Sequence, residues 1–86
     1  MQFTLTVPAS WNFRPVDLMM KFAGNDFGNG TAGRYIVTYD RYFTTVLYDQ
    51  KTAKAYEYDH LKMEHTAHSD TIKVTVFLKE QANEDY

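Results

Sequence analysis

Three short runs of this sequence hold residue types that can do chemistry, and the first is rich in glycine. Residues 28–33 read Gly-Asn-Gly-Thr-Ala-Gly, which matches the G-x-G-x-x-G spacing of dinucleotide-binding loops. In those loops the motif follows a strand and opens a helix, whose N-terminus then holds a pyrophosphate. Here the sequence pattern places a helix before the run and a strand after it. We therefore expect a loop from Gly24 to Gly33 rather than a phosphate site.

The second run contains three histidines that lie close together, with acidic residues among them. The histidines are His60, His65 and His68, and the acids are Asp59, Glu64 and Asp70. A metal site needs several nitrogen or oxygen ligands that converge on one point. On a strand, His60 and His65 have opposite parity and face away from each other unless a bulge intervenes, while His65 and His68 can meet across a turn. Two ligands at a turn make a weak site, and we expect neither a metal nor another cofactor.

The third run, His68-Ser69-Asp70, places the three residue types of a catalytic triad side by side. The members of a triad approach one another through space, and adjacent residues in a turn rarely point at one another. Serine and aspartate are also ordinary turn residues. We therefore expect a protein that is not an enzyme. One alternative stays open, namely a small enzyme that uses one of the three histidines as a general base.

The tyrosines are the most informative surface feature of the sequence. The chain has seven Tyr, six Phe and one Trp, which is more aromatic area than a small core needs. Tyrosine is enriched at protein interfaces because it combines a large apolar area with a polar tip. The competing explanation is that tyrosine favours strands and pairs across them. We take as candidate partner-binding residues five tyrosines and two residues of the glycine-rich run: Tyr35, Tyr39, Tyr42, Tyr56, Tyr58, Phe27 and Asn29.

Length and composition limit the range of functions. The 86 residues suit one domain, residues 1–86, in which residues 79–86 form an acidic tail. A formal net charge of -2 makes a nucleic-acid partner unlikely, since that needs a basic patch. No segment approaches the roughly 20 apolar residues of a membrane span, and residues 1–7 lack the regions of a secretory signal. The chain also has no cysteine, which fits a reducing compartment. From these observations together, we expect a cytoplasmic protein with no membrane partner.

The first third of the chain predicts one strand and one short helix. Residues 2–7 alternate polar and apolar side chains, and Pro8, which has no N–H for a ladder, ends that strand. Pro15 suits the first turn of a helix, and Gly24 stands where the helix should end. The apolar residues at helical spacing are Val16, Met19, Met20 and Ala23. A helix this short cannot persist alone, so it must pack on the sheet.

The remainder of the chain predicts four strands joined by short turns. Reversals are expected at Asp40-Arg41, at residues 49–52 and at residues 66–70. Between them, Tyr56 and Tyr58 have the opposite parity to Leu61 and Met63. A bulge, or a break into two strands, must therefore lie between Asp59 and His60. The final alternation is the cleanest and predicts a central core strand: Ile72, Val74, Val76 and Leu78, with Lys73, Thr75 and Lys79 outward.

These patterns predict an α+β fold, with one antiparallel sheet of about five strands and one short helix packed on a face, in the order β-α-β-β-β-β. The other face of the sheet should carry Tyr and Thr. We expect a small non-enzymatic protein-binding module that acts through an aromatic sheet face, an edge strand or the glycine-rich loop. Such chains are often inhibitors or adaptors carried by phages and mobile elements, which is an analogy of size and composition. The main alternative is a homo-oligomer that binds a small ligand or nucleotide.

Overall fold

The computed structural model describes residues 1–24, 33–65 and 67–81, which form one curled antiparallel sheet and one helix. The elements, in chain order, are β1 (Gln2–Pro8), α1 (Pro15–Ala23), β2 (Tyr35–Tyr39), β3 (Thr45–Asp49), β4 (Lys54–His65) and β5 (Thr71–Glu80). The strands lie in the order β1-β5-β4-β3-β2, and every neighbouring pair is antiparallel. The predicted fold class and element order are confirmed.

The core lies between α1 and one face of the sheet, which we call the helix-side face. Its buried residues are Phe3, Leu5, Val7, Leu18, Met19, Ala23, Leu47, Val74, Val76 and Leu78. Phe22 of α1 stacks on Phe3, with 4.3 Å between the ring centroids, and lies 5.0 Å from the ring of Tyr35. These rings connect the helix to both edges of the sheet, since Phe3 lies on β1 and Tyr35 on β2.

The helix begins as predicted and buries Met19 and Ala23 of the predicted stripe, but one residue of that stripe faces solvent. Pro15 is its first residue, and the backbone N–H of Arg14 donates to the Asp17 carboxylate at 2.7 Å. Leu18 is fully buried, whereas Met20, which was expected to face the sheet, is exposed. Since Leu18, Met19 and Phe22 are all apolar, the spacing alone fits two overlapping stripes, and packing against the sheet decides between them. Gly24 does end the helix, but with φ −79° it uses no left-handed conformation.

A register shift in β4 resolves the conflict of parity in that strand. The ladder with β5 pairs Tyr58 with Leu78 and then His60 with Phe77, which leaves Asp59 unpaired. The extra residue is a bulge inside one strand, so the first of the two predicted alternatives is confirmed. Because of the bulge, Tyr58 and Leu61 both lie on the helix-side face.

Strand β5 lies in the interior of the sheet, between β1 and β4, while β4 is the middle strand. Val74 and Val76 have no exposed surface, as expected of a core strand. The prediction that Thr75 points outward to solvent is wrong, because this residue is buried on the face opposite α1. Its hydroxyl lies 3.1 Å from that of Thr4 on β1, so the two neighbouring side chains satisfy each other.

The face opposite α1 was expected to carry the tyrosines, and this expectation is wrong for most of them. The strand register places Tyr35, Tyr39, Tyr56 and Tyr58 on the helix-side face, in line with core residues such as Leu47. We call the other side the open face. It carries Tyr48, Ile36 and Phe77 together with Thr4, Thr38 and Thr75.

Candidate protein-binding surface

The hairpin between β2 and β3 is organised around one carboxylate. Oδ1 of Asp40 accepts hydrogen bonds from the backbone N–H groups of Tyr42, at 2.8 Å, and Thr44, at 2.9 Å. The backbone of Asp40 also pairs with Thr44 and accepts a bond from the N–H of Phe43. Hydrogen bonding to the charged form lowers the pKa of Asp40, and the bond from Thr44 is the largest cause. The reversal is therefore a well-defined turn, longer than the predicted Asp40-Arg41.

Phe43 has an unusual backbone conformation in this turn. Its φ is +64°, in the left-handed region that glycine adopts without penalty. A hairpin loop of this length usually ends with a glycine at the left-handed position. The phenyl ring gains no burial in exchange, since Phe43 is 84% exposed. Phe43 thus exposes a large apolar ring to solvent at a backbone position that favours glycine.

Phe43 is the outermost residue of a small aromatic group at the end of the hairpin. Tyr42 beside it is 68% exposed, and the guanidinium of Arg41 lies 5.1 Å from the Tyr42 ring and donates to its hydroxyl at 2.9 Å. We call Arg41, Tyr42 and Phe43 the aromatic tip. Tyr39, the last residue of β2, is exposed at the base of this tip.

An apolar groove on the open face leads away from the aromatic tip. It has a volume of about 440 Å³, and its lining residues are Ile36, Thr38, Tyr39, Asp40, Arg41, Val46 and Tyr48. Ile36 is 44% exposed in this groove, although it lies in the middle of a strand. The groove and the tip thus form one continuous surface that is rich in aromatic and aliphatic side chains.

A polar contact across the curled sheet joins the end of β5 to this surface. The side-chain amide of Gln81, just after β5, donates to Asp40 and to Glu57 on β4, at 3.1 Å in both cases. Val46 lies on β3, between β2 and β4. It is almost completely buried, although it lies on the open face. The curl of the sheet therefore brings the end of β5 to the carboxylate that shapes the turn.

The structure divides the predicted partner-binding residues into three groups. Tyr39 and Tyr42 are exposed beside the groove and at the tip. Tyr35, Tyr56 and Tyr58 are partly buried and pack against the core, and desolvation raises the pKa of Tyr35. Phe27 and Asn29 lie outside the described residues, as does most of the glycine-rich run.

Phe43 is a surface residue that the sequence did not single out, because the strand pattern continues past the predicted reversal at Asp40-Arg41. The structure places Phe43 in the turn. A signal was available, because no glycine follows Asp40-Arg41 at the position where a short hairpin loop normally has one. A phenylalanine there must take an unfavourable φ or lengthen the loop.

Two of the three histidines contact groups other than a histidine. His60 stacks on Phe77 with 4.5 Å between ring centroids, and its Nδ1 lies 2.7 Å from the carboxylate of Asp59. His65 instead contacts the carbonyl oxygen of Ser69 through Nε2, at 2.9 Å. Within the described ranges, 1–24, 33–65 and 67–81, no group of three potential ligands is close enough to hold a metal ion.

Comparisons with protein-family models, curated proteins and solved structures found no match to this chain. The described part of the chain contains no helix long and apolar enough to cross a membrane.

Proposed function

We propose that this chain is a non-enzymatic module that binds another protein through the aromatic tip. One observation carries the proposal: Phe43 is 84% exposed at a φ of +64°. A non-glycine residue in the left-handed region costs on the order of 1 kcal/mol, and an exposed ring recovers none of it by burial. Backbone strain of this kind is concentrated at binding and catalytic sites. Contact of the Phe43 side chain with another molecule would therefore explain why a phenylalanine occupies this position.

The arrangement of the tip suits recognition of a protein surface. Binding energy at interfaces concentrates in a few aromatic and arginine side chains that enter pockets on the partner. The tip offers Arg41, Tyr42 and Phe43 side by side, and Asp40 fixes the backbone that carries them. A rigid loop loses little conformational entropy on binding, which favours affinity. We expect the partner to offer an apolar pocket for Phe43, with a carboxylate near its rim for Arg41.

We further propose that the module acts as an inhibitor or adaptor. A small, cysteine-free binding module fits an inhibitor or adaptor, of the kind carried by phages and mobile elements, that acts in the cytoplasm. Size and composition are the support for these points.

The groove beside the tip, at about 440 Å³, favours a second candidate function, the binding of a small ligand, since pockets for such molecules have similar volumes.

Purification of a tagged chain from the cells that produce it tests the proposal. We expect a protein to co-purify with the unaltered chain and with Met63→Ser, but not with Phe43→Ser. Met63 is the matched control because it is also a large apolar side chain, 58% exposed, on a different strand. Recovery of the same protein with both variants would contradict a role for the tip. A bound metabolite detected by native mass spectrometry, with no co-purifying protein, would favour the second candidate.

A further inference from the structure

We propose that this chain forms a symmetric homodimer in which β2 of one copy pairs antiparallel with β2 of a second copy. The twofold axis passes between the two copies of Val37 and runs perpendicular to the sheet. The two sheets then become one continuous sheet with both α1 helices on the same side. This inference concerns the edge of the sheet and does not depend on what the aromatic tip binds.

The hydrogen bonds of β2 show which backbone groups face outward. The N–H of Gln50 donates to the carbonyl of Arg34, and the N–H of Asp40 donates to the carbonyl of Thr44. Residues of an antiparallel strand alternate in the direction of their backbone groups. Ile36 and Thr38 therefore pair inward with β3, while the groups of Tyr35, Val37 and Tyr39 point outward. Among the described residues, β2 is the end strand of the sheet, and no described strand pairs with these groups.

The sequence of β2 is complementary to itself when it is read about Val37. Residues 34–40 are Arg-Tyr-Ile-Val-Thr-Tyr-Asp. In the proposed register, Tyr35 lies opposite Tyr39, Ile36 opposite Thr38, and Val37 opposite itself. The side chains of the flanking Arg34 and Asp40 already bond within their own chain, so the complementarity lies in residues 35–39. Aromatic and β-branched pairs are combinations that stabilise neighbouring antiparallel strands.

The other edge of the sheet is less suited to this pairing. The bonds of Met1 with Leu78 and of Ala9 with Asp70 place the backbone groups of the even-numbered β1 residues outward. One of these residues is Pro8, which has no N–H and blocks strand addition at that end. The other outward residues are Gln2, Thr4 and Thr6, all polar. By contrast, β2 has no proline or charged residue and exposes Ile36 and Tyr39. Charge and proline are the usual protection of an edge strand.

Disulfide trapping tests the register directly, because the chain has no cysteine of its own. In the proposed dimer, positions 36 and 38 of the two copies form a non-hydrogen-bonded pair, with Cα atoms about 4.5 Å apart. That distance suits a disulfide bond. Two copies of position 36 are diagonal neighbours, roughly 7–8 Å apart, which is too far. An equimolar mixture of I36C and T38C should therefore form a covalent dimer under mild oxidation at least about tenfold faster than either variant alone.

The outcome of the trapping experiment is decisive either way. No covalent dimer in the mixture, or an equal rate for I36C alone, would overturn the proposed pairing. The result stands apart from the proposed function, because positions 36 and 38 lie outside the aromatic tip and the readout needs no other protein.

Sedimentation equilibrium provides a second measurement that needs no oxidant. The unaltered chain should show a monomer–dimer equilibrium that depends on concentration. T38K places a charge on the pairing edge and should raise the dissociation constant by at least about tenfold. The matched control is Q2K, which adds the same charge to β1 and should change the dissociation constant by less than about twofold. A monomer at every concentration up to about 1 mM, or an equal effect of Q2K, would overturn the proposal.

Discussion

Asp49 accepts hydrogen bonds from three residues around the end of β3. Arg34 donates through Nε and Nη2, at 3.1 and 3.0 Å, while the N–H of Lys51 and the hydroxyl of Thr52 donate at 3.0 Å each. Asp49 itself is only 3% exposed, so these bonds satisfy a buried charge. The side-chain bonds from Arg34 are the largest cause of a pKa far below the ordinary value of 3.8. Asp49 thus fixes the start of β2 and the β3–β4 turn at once.

This lowered pKa predicts how stability depends on pH. The folded chain holds the Asp49 carboxylate ionised to lower pH than the unfolded chain does, so the unfolded state binds more protons. Stability from Asp49 is complete above the ordinary pKa of 3.8 and is lost as the pH falls toward the folded value. We expect the free energy of unfolding by urea to be level above about pH 5 and to fall below about pH 4. D49N should be less stable at pH 7 and should fall less steeply, and an equal slope would contradict this account.

For single residues, the sequence predicted which side chains share a face of a strand better than it predicted which of them are exposed to solvent. The register of β2 places Tyr35, Val37 and Tyr39 on one face, as their spacing of two residues indicates. Exposure was not predictable in the same way, because it depends on where α1 and the curl of the sheet cover each face. Thr75 illustrates the difference, since its polar side chain suggested solvent, while a partner hydroxyl on Thr4 allows it to be buried.

The bulge in β4 was predictable at the scale of the element because four residues with fixed side preferences conflicted. Tyr56 and Tyr58 have even numbers and Leu61 and Met63 odd ones, and the extra residue Asp59 between them lets all four lie on the helix-side face. The length of the β2–β3 turn was not predictable in this way. Its strand pattern continues through Tyr42 and Thr44, and only the bonds that Asp40 accepts show where the turn ends.

The bulge also predicts which residue of β4 the chain can lose. Without Asp59, Tyr58 is followed directly by His60 and Leu61, which restores a regular alternation with the same side chains inward. We expect deletion of Asp59 to leave the chain folded, with a change in unfolding free energy of about 1 kcal/mol or less. Chemical denaturation monitored by circular dichroism measures this change.

The matched control for that deletion lies in the neighbouring strand. β5 has no irregularity next to Thr75, so deletion of Thr75 moves every later residue of that strand to the opposite face. We expect this deletion to unfold the chain. Equal damage from the two deletions would show that Asp59 is not an insertion in an otherwise regular ladder.

At the scale of the whole molecule, the curl of the sheet links the fold to the proposed site. The contact of Gln81 with Asp40 joins residues that the sequence separates by half the chain, and no local pattern indicates it. The candidate site was likewise only partly predictable. An excess of exposed tyrosine on β2 and beyond was expected, and Tyr39 and Tyr42 are exposed. Phe43 was hidden within a continuous strand pattern, because its role depends on a backbone angle that only the fold determines.

We propose that Phe43 is kept for binding at a cost to the stability of the fold, and one substitution separates these two effects. Phe43→Gly removes the backbone penalty and an exposed ring, so the chain should become more stable by about 0.5–1 kcal/mol. The same substitution should weaken binding of the co-purified protein by roughly 2 kcal/mol, or about 30-fold. Ala53→Gly is the matched control, because Ala53 is exposed at a φ of +59° in the next hairpin.

The measurement is a calorimetric titration of the co-purified protein with each variant, together with urea denaturation of the same preparations. We expect both glycine variants to gain stability and only Phe43→Gly to lose affinity. A Phe43→Gly chain that binds as tightly as the unaltered chain, or one that is less stable than it, would contradict the account.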